Sequence, residues 1–304
     1  MSKNDGGIAF ASGLFAGFTT TVALHPLDLI KTRFQVDEGT IKHGSLLDRF
    51  RARLDGASRA VESTILTSRK IHREGGLRGL YRGLVPAVVG SSASWGIYFF
   101  LYEKLKSTAS ASLENGERLS AWQYLGTSAA AGAMTTLCTN PVWLVKTRLE
   151  LQTPGNEPYR GFTHAFTTIL REEGLAGLYR GIVPALILVS NGGFQFMVYE
   201  ELKHSLGDRT LTAVDYMLLG ALSKSVASTI TYPYQVVKSR MQQHRSTYTS
   251  TLGTFSRIIE SQGVFGLYRG MVPNLLRVMP SSAITFCTYE LTKRAMQERS
   301  SSES

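Results

Sequence analysis

Cysteine is almost absent from this chain: there are two in 304 residues, Cys138 and Cys287, each in an apolar stretch with no second ligand at metal spacing. That excludes a disulfide scaffold and argues against a structural zinc centre. The six histidines are scattered singly, so no metal site is expected. Acid is scarce beside base, 23 Asp and Glu against 33 Lys and Arg, giving a formal net charge of +10. Such a surplus favours an anionic partner: nucleic acid, acidic lipid or an anionic solute. Also missing are a G-x-G-x-x-G or Walker phrase in context, a nucleophile–base arrangement and paired carboxylates. These absences count against a soluble cofactor-binding enzyme. The first residues, MSKNDGGIAF, carry no Arg-rich amphipathic stretch, so no cleavable presequence is expected and targeting must be internal.

What is present is a repeat. GLRGLYRGLVP (Gly76 to Pro86), GLAGLYRGIVP (Gly174 to Pro184) and GVFGLYRGMVP (Gly263 to Pro273) are three copies of one phrase. Each is preceded by PLDLIKTR from Pro26, PVWLVKTR from Pro141 or PYQVVKSR from Pro233, and followed by YEKLK from Tyr102, YEELK from Tyr199 or YELTK from Tyr289. The order is fixed, which divides the chain into units at 1–108, 116–206 and 210–297. The first unit carries surplus chain from about Asp37 to Thr67, with Arg49, Arg51, Arg53 and Arg59, read here as a tolerated loop insertion.

Mean hydropathy is close to zero. An average of that kind is compatible with membrane helices that enclose water, because their inner faces can be polar. Each unit has two long segments of apolar character around a polar middle: Ile8–Phe34 and Leu84–Ser107, Ala121–Gln152 and Ile182–His204, Thr212–Gln242 and Met271–Met296. All are long enough as helices to cross a hydrocarbon core of about 30 Å. The fold class predicted is therefore an all-α membrane protein of six spans in three tandem repeats. Short helices near Glu62–His72, Phe162–Glu172 and Thr251–Gln262 are expected on the side away from both termini.

Pro26, Pro141 and Pro233 should bend the odd spans and draw their ends together. Lys31, Lys146 and Lys238 follow, with Asp28 beside the first, so converging ends can form a ring of charge closing one mouth of a cavity. On the even spans Tyr102, Glu103 and Lys106, Tyr199, Glu200 and Lys203, and Tyr289, Glu290 and Lys293 repeat one pattern, acid and base sharing a helix face. Between the two rings runs a polar stripe of Ser91, Trp95, Tyr98 and Tyr102, of Asn191, Gln195 and Tyr199, and of Ser281, Thr285 and Tyr289. Arg277 and Lys224 are the basic residues deepest in apolar sequence, where charge is costly unless it serves a site. Arg277 suits phosphate or carboxylate, and Trp95 and Tyr98 suit stacking. Small residues at Gly13 and Gly17, at Ser128 and Gly132, and at Gly220 read as helix-packing positions. LYRG opens each even span, so backbone donors with Arg82, Arg180 and Arg269, beside Gly83, Gly181 and Gly270, could hold an acidic lipid's phosphate.

These nine phrases resemble the mitochondrial carrier family over nearly the whole chain. The resemblance implies a monomer of six tilted helices in pseudo-three-fold symmetry, a multi-pass protein of the mitochondrial inner membrane with both termini toward the intermembrane space. It implies solute transport by alternating access, no enzymatic activity, no catalytic cofactor and no nucleic-acid partner. The Pro phrase corresponds to a matrix gate, Tyr-Glu-x-x-Lys to a cytoplasmic gate, and the Gly phrases to cardiolipin sites. Here the acid of the matrix gate is Trp143 in the second repeat and Gln235 in the third. Asp28, paired with Lys146, is then the gate's remaining acid, and the matrix-open state is expected to be favoured without substrate.

Pro-x-Trp, with SWGIYFFLYE from Ser94, NGGFQFMVYE from Asn191 and RVMPSSAITF from Arg277, is most similar to the FAD and folate carriers, with NAD and pyrimidine-nucleotide carriers as alternatives. Family contact points map onto Ser94 and Tyr98, Leu188 and Val189, and Arg277, Leu188 departing from the adenine-nucleotide pattern. FAD or folate is thus the transported solute that the resemblance implies. A non-transporting regulator or proton-leak protein on the same fold is the rival from a different class.

Overall fold

The computed structural model describes residues 3–37, 56–111, 120–153, 155, 158–206, 212–244 and 246–302. Six long helical spans dominate: α1 (Lys3–Val36), α3 (Leu84–Ala111), α4 (Ala121–Leu151), the broken pair α6 (Ile182–Ile187) and α7 (Ser190–Ser205), α8 (Ala213–Met241) and α10 (Met271–Ser302). Between the two spans of each repeat lies a shorter helix: α2 (Gly56–Leu80), α5 (Phe162–Leu178) and α9 (Thr251–Gln262). No β-strand occurs among the described residues.

Local sequence explains the helix ends. Ser120 and Gln123 form a reciprocal capping box on α4, and Thr212 and Asp215 do the same on α8. Pro26, Pro141 and Pro233 lie inside α1, α4 and α8, which continue through them. Gly76, Gly174 and Gly263 all have positive φ, as do Gly83, Gly181 and Gly270. The same two left-handed turns thus recur in each repeat, where a side chain would be strained. The inserted segment differs from its reading as a loop, since it is helical from Gly56 onward. Arg49, Arg51 and Arg53, and the side chain of Arg59, fall outside what is described.

Packing runs mainly between repeats: α1 lies along α10, α3 along α4 and α7 along α8. The connecting helices cover the lower ends of the odd spans. Leu144, Val145 and Leu149 bury against Ala165, Ile169 and Leu178, and Val236, Val237 and Met241 against Ile258 and Leu267. Elsewhere the outer surface is apolar, with Phe15, Phe18, Val85, Val89, Phe100, Phe196, Leu218, Leu222, Val226 and Ile230 exposed. That pattern suits lipid. By mean hydropathy only two of the described helical spans qualify as membrane-crossing, Leu84–Ala111 and Ile182–Ser205. The other spans fall short because their inner faces are polar, with Lys146, Arg148, Glu150 and Arg240 all buried.

Candidate functional site

The Pro phrases of the three repeats meet, and their charges are in contact. Lys146 is ion-paired to Asp28 at 2.5 Å and to Glu150 at 3.1 Å, so one ammonium holds both carboxylates. Asp28 also faces the Arg277 guanidinium, 3.6 Å away. Lys31 donates to Gln235 Oε1 at 3.0 Å, an amide standing where an acid would complete a bridge. The Lys146 ammonium lies over the Trp143 ring, 5.7 Å from its centre, and Trp143 Nε1 donates to Ser94 Oγ at 3.3 Å. Lys238 makes no ion pair among the described residues.

A second ring, whose three arginines the Pro phrase repeats without revealing their partners, lies just beyond. Arg33 donates to the Glu150 and Gln152 carbonyls, Arg148 to the Gln242 carbonyl, and Arg240 to the Gln35 and Asp37 carbonyls. Each odd span is thereby tied to the C-terminal carbonyls of the next, in the cycle one to two to three to one. Arg148 and Arg240 are completely buried. Arg148 also pairs with Glu173, and Arg240 donates to Gln262 Oε1 at 2.7 Å. Hydrogen bonds from Arg148 hold the Glu173 carboxyl below the ordinary carboxylate range, although its partial burial acts the other way.

The LYRG glycines sit in the same cycle. A Cβ on Gly83 would lie 3.4 Å from the Lys146 carbonyl, one on Gly181 3.3 Å from that of Lys238, and one on Gly270 2.9 Å from that of Lys31. Of the small residues expected to pack helices, Ser128 hydrogen-bonds Tyr98 Oη at 2.8 Å and Gly132 lies close to the next span, its Cβ position being 2.8 Å from Val189. Gly13, Gly17 and Gly220 meet nothing within 4 Å.

The expectation that the molecule favours opening at this end counts only the acids and bases of the Pro phrases. In the structure the odd spans are tied to one another there. The extra acid Glu150, the amide Gln235 and the buried arginines stand in for the absent bridges. At the opposite end Glu103, Glu200 and Lys203 are exposed. Lys106 lies over its own Tyr102 ring, 5.9 Å from the centre. Tyr199 is half-buried, and among the described residues no ion pair links these groups between spans. The side chains of Tyr289, Glu290 and Lys293 lie outside what is described.

Above the closed end, the residues expected to contact a solute divide between pockets. Arg277 and Asp28 share a polar pocket of about 330 Å³ with Thr20, His25, Ser91 and Ser281. Leu188 and Asn191 line a second, of about 270 Å³, with Lys31, Lys146 and Lys238. Ser94, Trp95, Tyr98 and Val189 line a third, a mostly apolar cleft of about 960 Å³ with Phe194 and Met197. Trp95 lines the apolar cleft and stacks on Phe99, in a different pocket from Arg277. The Ser94–Trp143 hydrogen bond joins the apolar cleft to the charged floor.

Lys224 donates to Asn191 Oδ1 at 2.9 Å, and Asn191 Nδ2 to Thr231 Oγ1 at 2.8 Å, binding α7 to α8. Gln195 is half-buried on α7 and lines none of these three pockets. Asn191 emerges from a break that sequence reading missed: the Val189 amide bonds to Leu186 and the Asn191 amide to Leu188, both i to i−3. Gly192 and Gly193 follow the break and are the signal that could have marked it. Of the LYRG arginines, Arg180 bonds Glu173 and Ser246, Arg269 bonds Asp37, and the Arg82 carbonyl accepts from His25.

Three repeats of paired spans around a charged floor define a membrane carrier. The chain belongs to the mitochondrial carrier family, whose model, described as mitochondrial carrier protein, matches residues 4–112, 117–210 and 209–300. Members of that family transport solutes. The chain is 42% identical over 306 residues, 94% of either chain, to folate transporter 1, chloroplastic, of Arabidopsis thaliana. It is 37% identical to nicotinamide adenine dinucleotide transporter 2, mitochondrial, of the same plant, over 94% of this chain and 79% of that one. It is 33% identical to the mitochondrial FAD carrier protein FLX1 of Saccharomyces cerevisiae, over 94% and 96%.

Proposed function

We propose that the protein carries an anionic heteroaromatic cofactor across the mitochondrial inner membrane by alternating access. FAD stands first, folate or tetrahydrofolate second, and NAD or a pyrimidine nucleotide after them. The observation that carries this reading is the adjacency of a large apolar cleft to a floor holding Arg277. A fused ring system suits the cleft between Tyr98 and Phe194, and a phosphate or carboxylate suits the guanidinium. The names of the relatives, a folate transporter and an FAD carrier among them, support the same class of solute.

The geometry gives binding a consequence. Arg277 Nε has no hydrogen-bond partner and only a 3.6 Å ion pair to Asp28. An anionic group that engages the guanidinium bidentately draws it from Asp28 and removes one of the two cations nearest that carboxylate. The Asp28–Lys146 pair then holds the closed end with less support, and substrate becomes the trigger for opening. Tyr-Glu-x-x-Lys acts as the cytoplasmic gate in this scheme, the Pro phrases as the matrix gate, and the LYRG turns as lipid-phosphate sites suited to cardiolipin, on a monomer.

Uptake by liposomes containing the purified protein tests the proposal, with FAD, folate, NAD and pyrimidine nucleotides compared. FAD or folate uptake that collapses in Arg277→Gln is expected; uptake of none of the four overturns the substrate assignment. Proton flux in the same liposomes without solute would favour the leak-protein reading instead. Microscopy of the tagged chain against mitochondrial and plastid markers checks location, since the folate relative is named as chloroplastic.

A further inference from the structure

The closed end has more cations than its own acids can serve. Asp28 and Glu150 are both taken by Lys146, and Asp28 has Arg277 as a second cation. Lys31 receives one neutral amide oxygen from Gln235, and Lys238 has no acid partner among the described residues. Lys31 and Lys238 nevertheless line one polar pocket of about 270 Å³. The Asp28–Lys146 pair forms one wall, so three ammoniums face a single carboxylate there, and the rest of the lining is rich in neutral donors and acceptors, including Asn191, Ser239, Gln242 and Thr147. An ammonium withdrawn from water without a counter-charge is costly, and a pocket with two of them strongly favours an anion. The volume has room for a carboxylate or a phosphate group, but not for a cofactor.

We infer that this pocket is an anion site, in which one carboxylate or phosphate group bridges Lys31 and Lys238 and supplies the counter-charge that Trp143 and Gln235 do not. The anion fastens the closed end. It is distinct from the Arg277 pocket, which lies on the other side of the Asp28–Lys146 pair. The inference rests on this ring being the closed end of a carrier and not on which solute is carried. The group can be a free inorganic anion or the anionic end of the solute itself, since the chemistry is the same.

The test is the thermal unfolding midpoint of the purified full-length protein in detergent, in gluconate buffer at constant ionic strength, with phosphate or formate exchanged in. A saturable rise is expected in the wild type and is expected to vanish in Lys238→Gln. Gln235→Glu combined with Trp143→Asp builds the two missing acids into the ring. That variant should unfold higher than wild type in gluconate and respond little to phosphate, and it serves if Lys238→Gln fails to fold. FAD and folate form a further arm. A Lys238-dependent rise with them but not with phosphate or formate assigns the anion to the solute and supports the site. A rise undiminished in Lys238→Gln, or no rise with any of the four, overturns it. Solute uptake is read separately in liposomes, so failure of the anion site and failure of the substrate assignment are distinguishable.

Discussion

At one end of the bundle the Tyr-Glu-x-x-Lys phrase supplies an acid and a base from every repeat; at the other the Pro phrase supplies one acid to three bases. Yet the second end is the one whose spans are tied to one another among the described residues. The difference teaches that a count of opposite charges describes a gate's potential and not its state. Exposed pairs contribute only about 0–1 kcal/mol each. Buried arginines that satisfy carbonyls at neighbouring helix ends fix the spans to one another whatever the charge count of the ring.

The sharpest way to break this comparison is Arg240→Ala. It removes a fully buried guanidinium that bonds α1 and Gln262 at once. The expected loss is about 3–5 kcal/mol, measured as a fall in unfolding midpoint; near-wild-type stability would refute the arginine cycle. Next is Glu173→Gln, with an expected cost of about 2 kcal/mol through the Arg148 pair. Because the folded Glu173 pKa is depressed, its contribution is complete above the unfolded carboxylate value and is lost as pH falls through the lower folded value. The variant's unfolding midpoint should therefore depend less on pH across that acid window than the wild type's.

Gly270→Ala forces a side chain into left-handed backbone against the Lys31 carbonyl, at about 1–2 kcal/mol. Gln235→Glu alone converts the Lys31 hydrogen bond into a charged one. It should stabilise the closed end by about 1 kcal/mol and slow exchange in liposomes. The smallest stability effect belongs to Glu103→Gln, within about 0.5 kcal/mol, because that carboxylate is exposed here. A large destabilisation there would show that the Tyr-Glu end is also held in this conformation.

The fold was legible because each repeat writes its punctuation in residue types: proline, the paired glycines, and acid and base at three-residue spacing. The short helix Thr251–Gln262 is found at the residues where the repeat places it. The arginine cycle was hidden for a physical reason. The partners of Arg33, Arg148 and Arg240 on the neighbouring spans are backbone carbonyls, which every residue has, so they leave no signature. Glu150 escaped notice because nothing corresponds to it in the other repeats, Gln35 and Gln242 standing at that place. The stripe gives residue types along a helix but not the neighbouring spans, so it does not separate the apolar cleft of Trp95 and Tyr98 from the polar pocket of Arg277.

The three LYRG glycines, each seated under the carbonyl of the next repeat's lysine, form a closed loop of tolerances. In an open row of domains, a bulge at one joint is absorbed by splaying the end. A ring has no end, so a displacement at Gly83 must be shared with the joints at Gly181 and Gly270. The narrowest clearance, at Gly270 against Lys31, is then the limit on how far any repeat can drift from its neighbour.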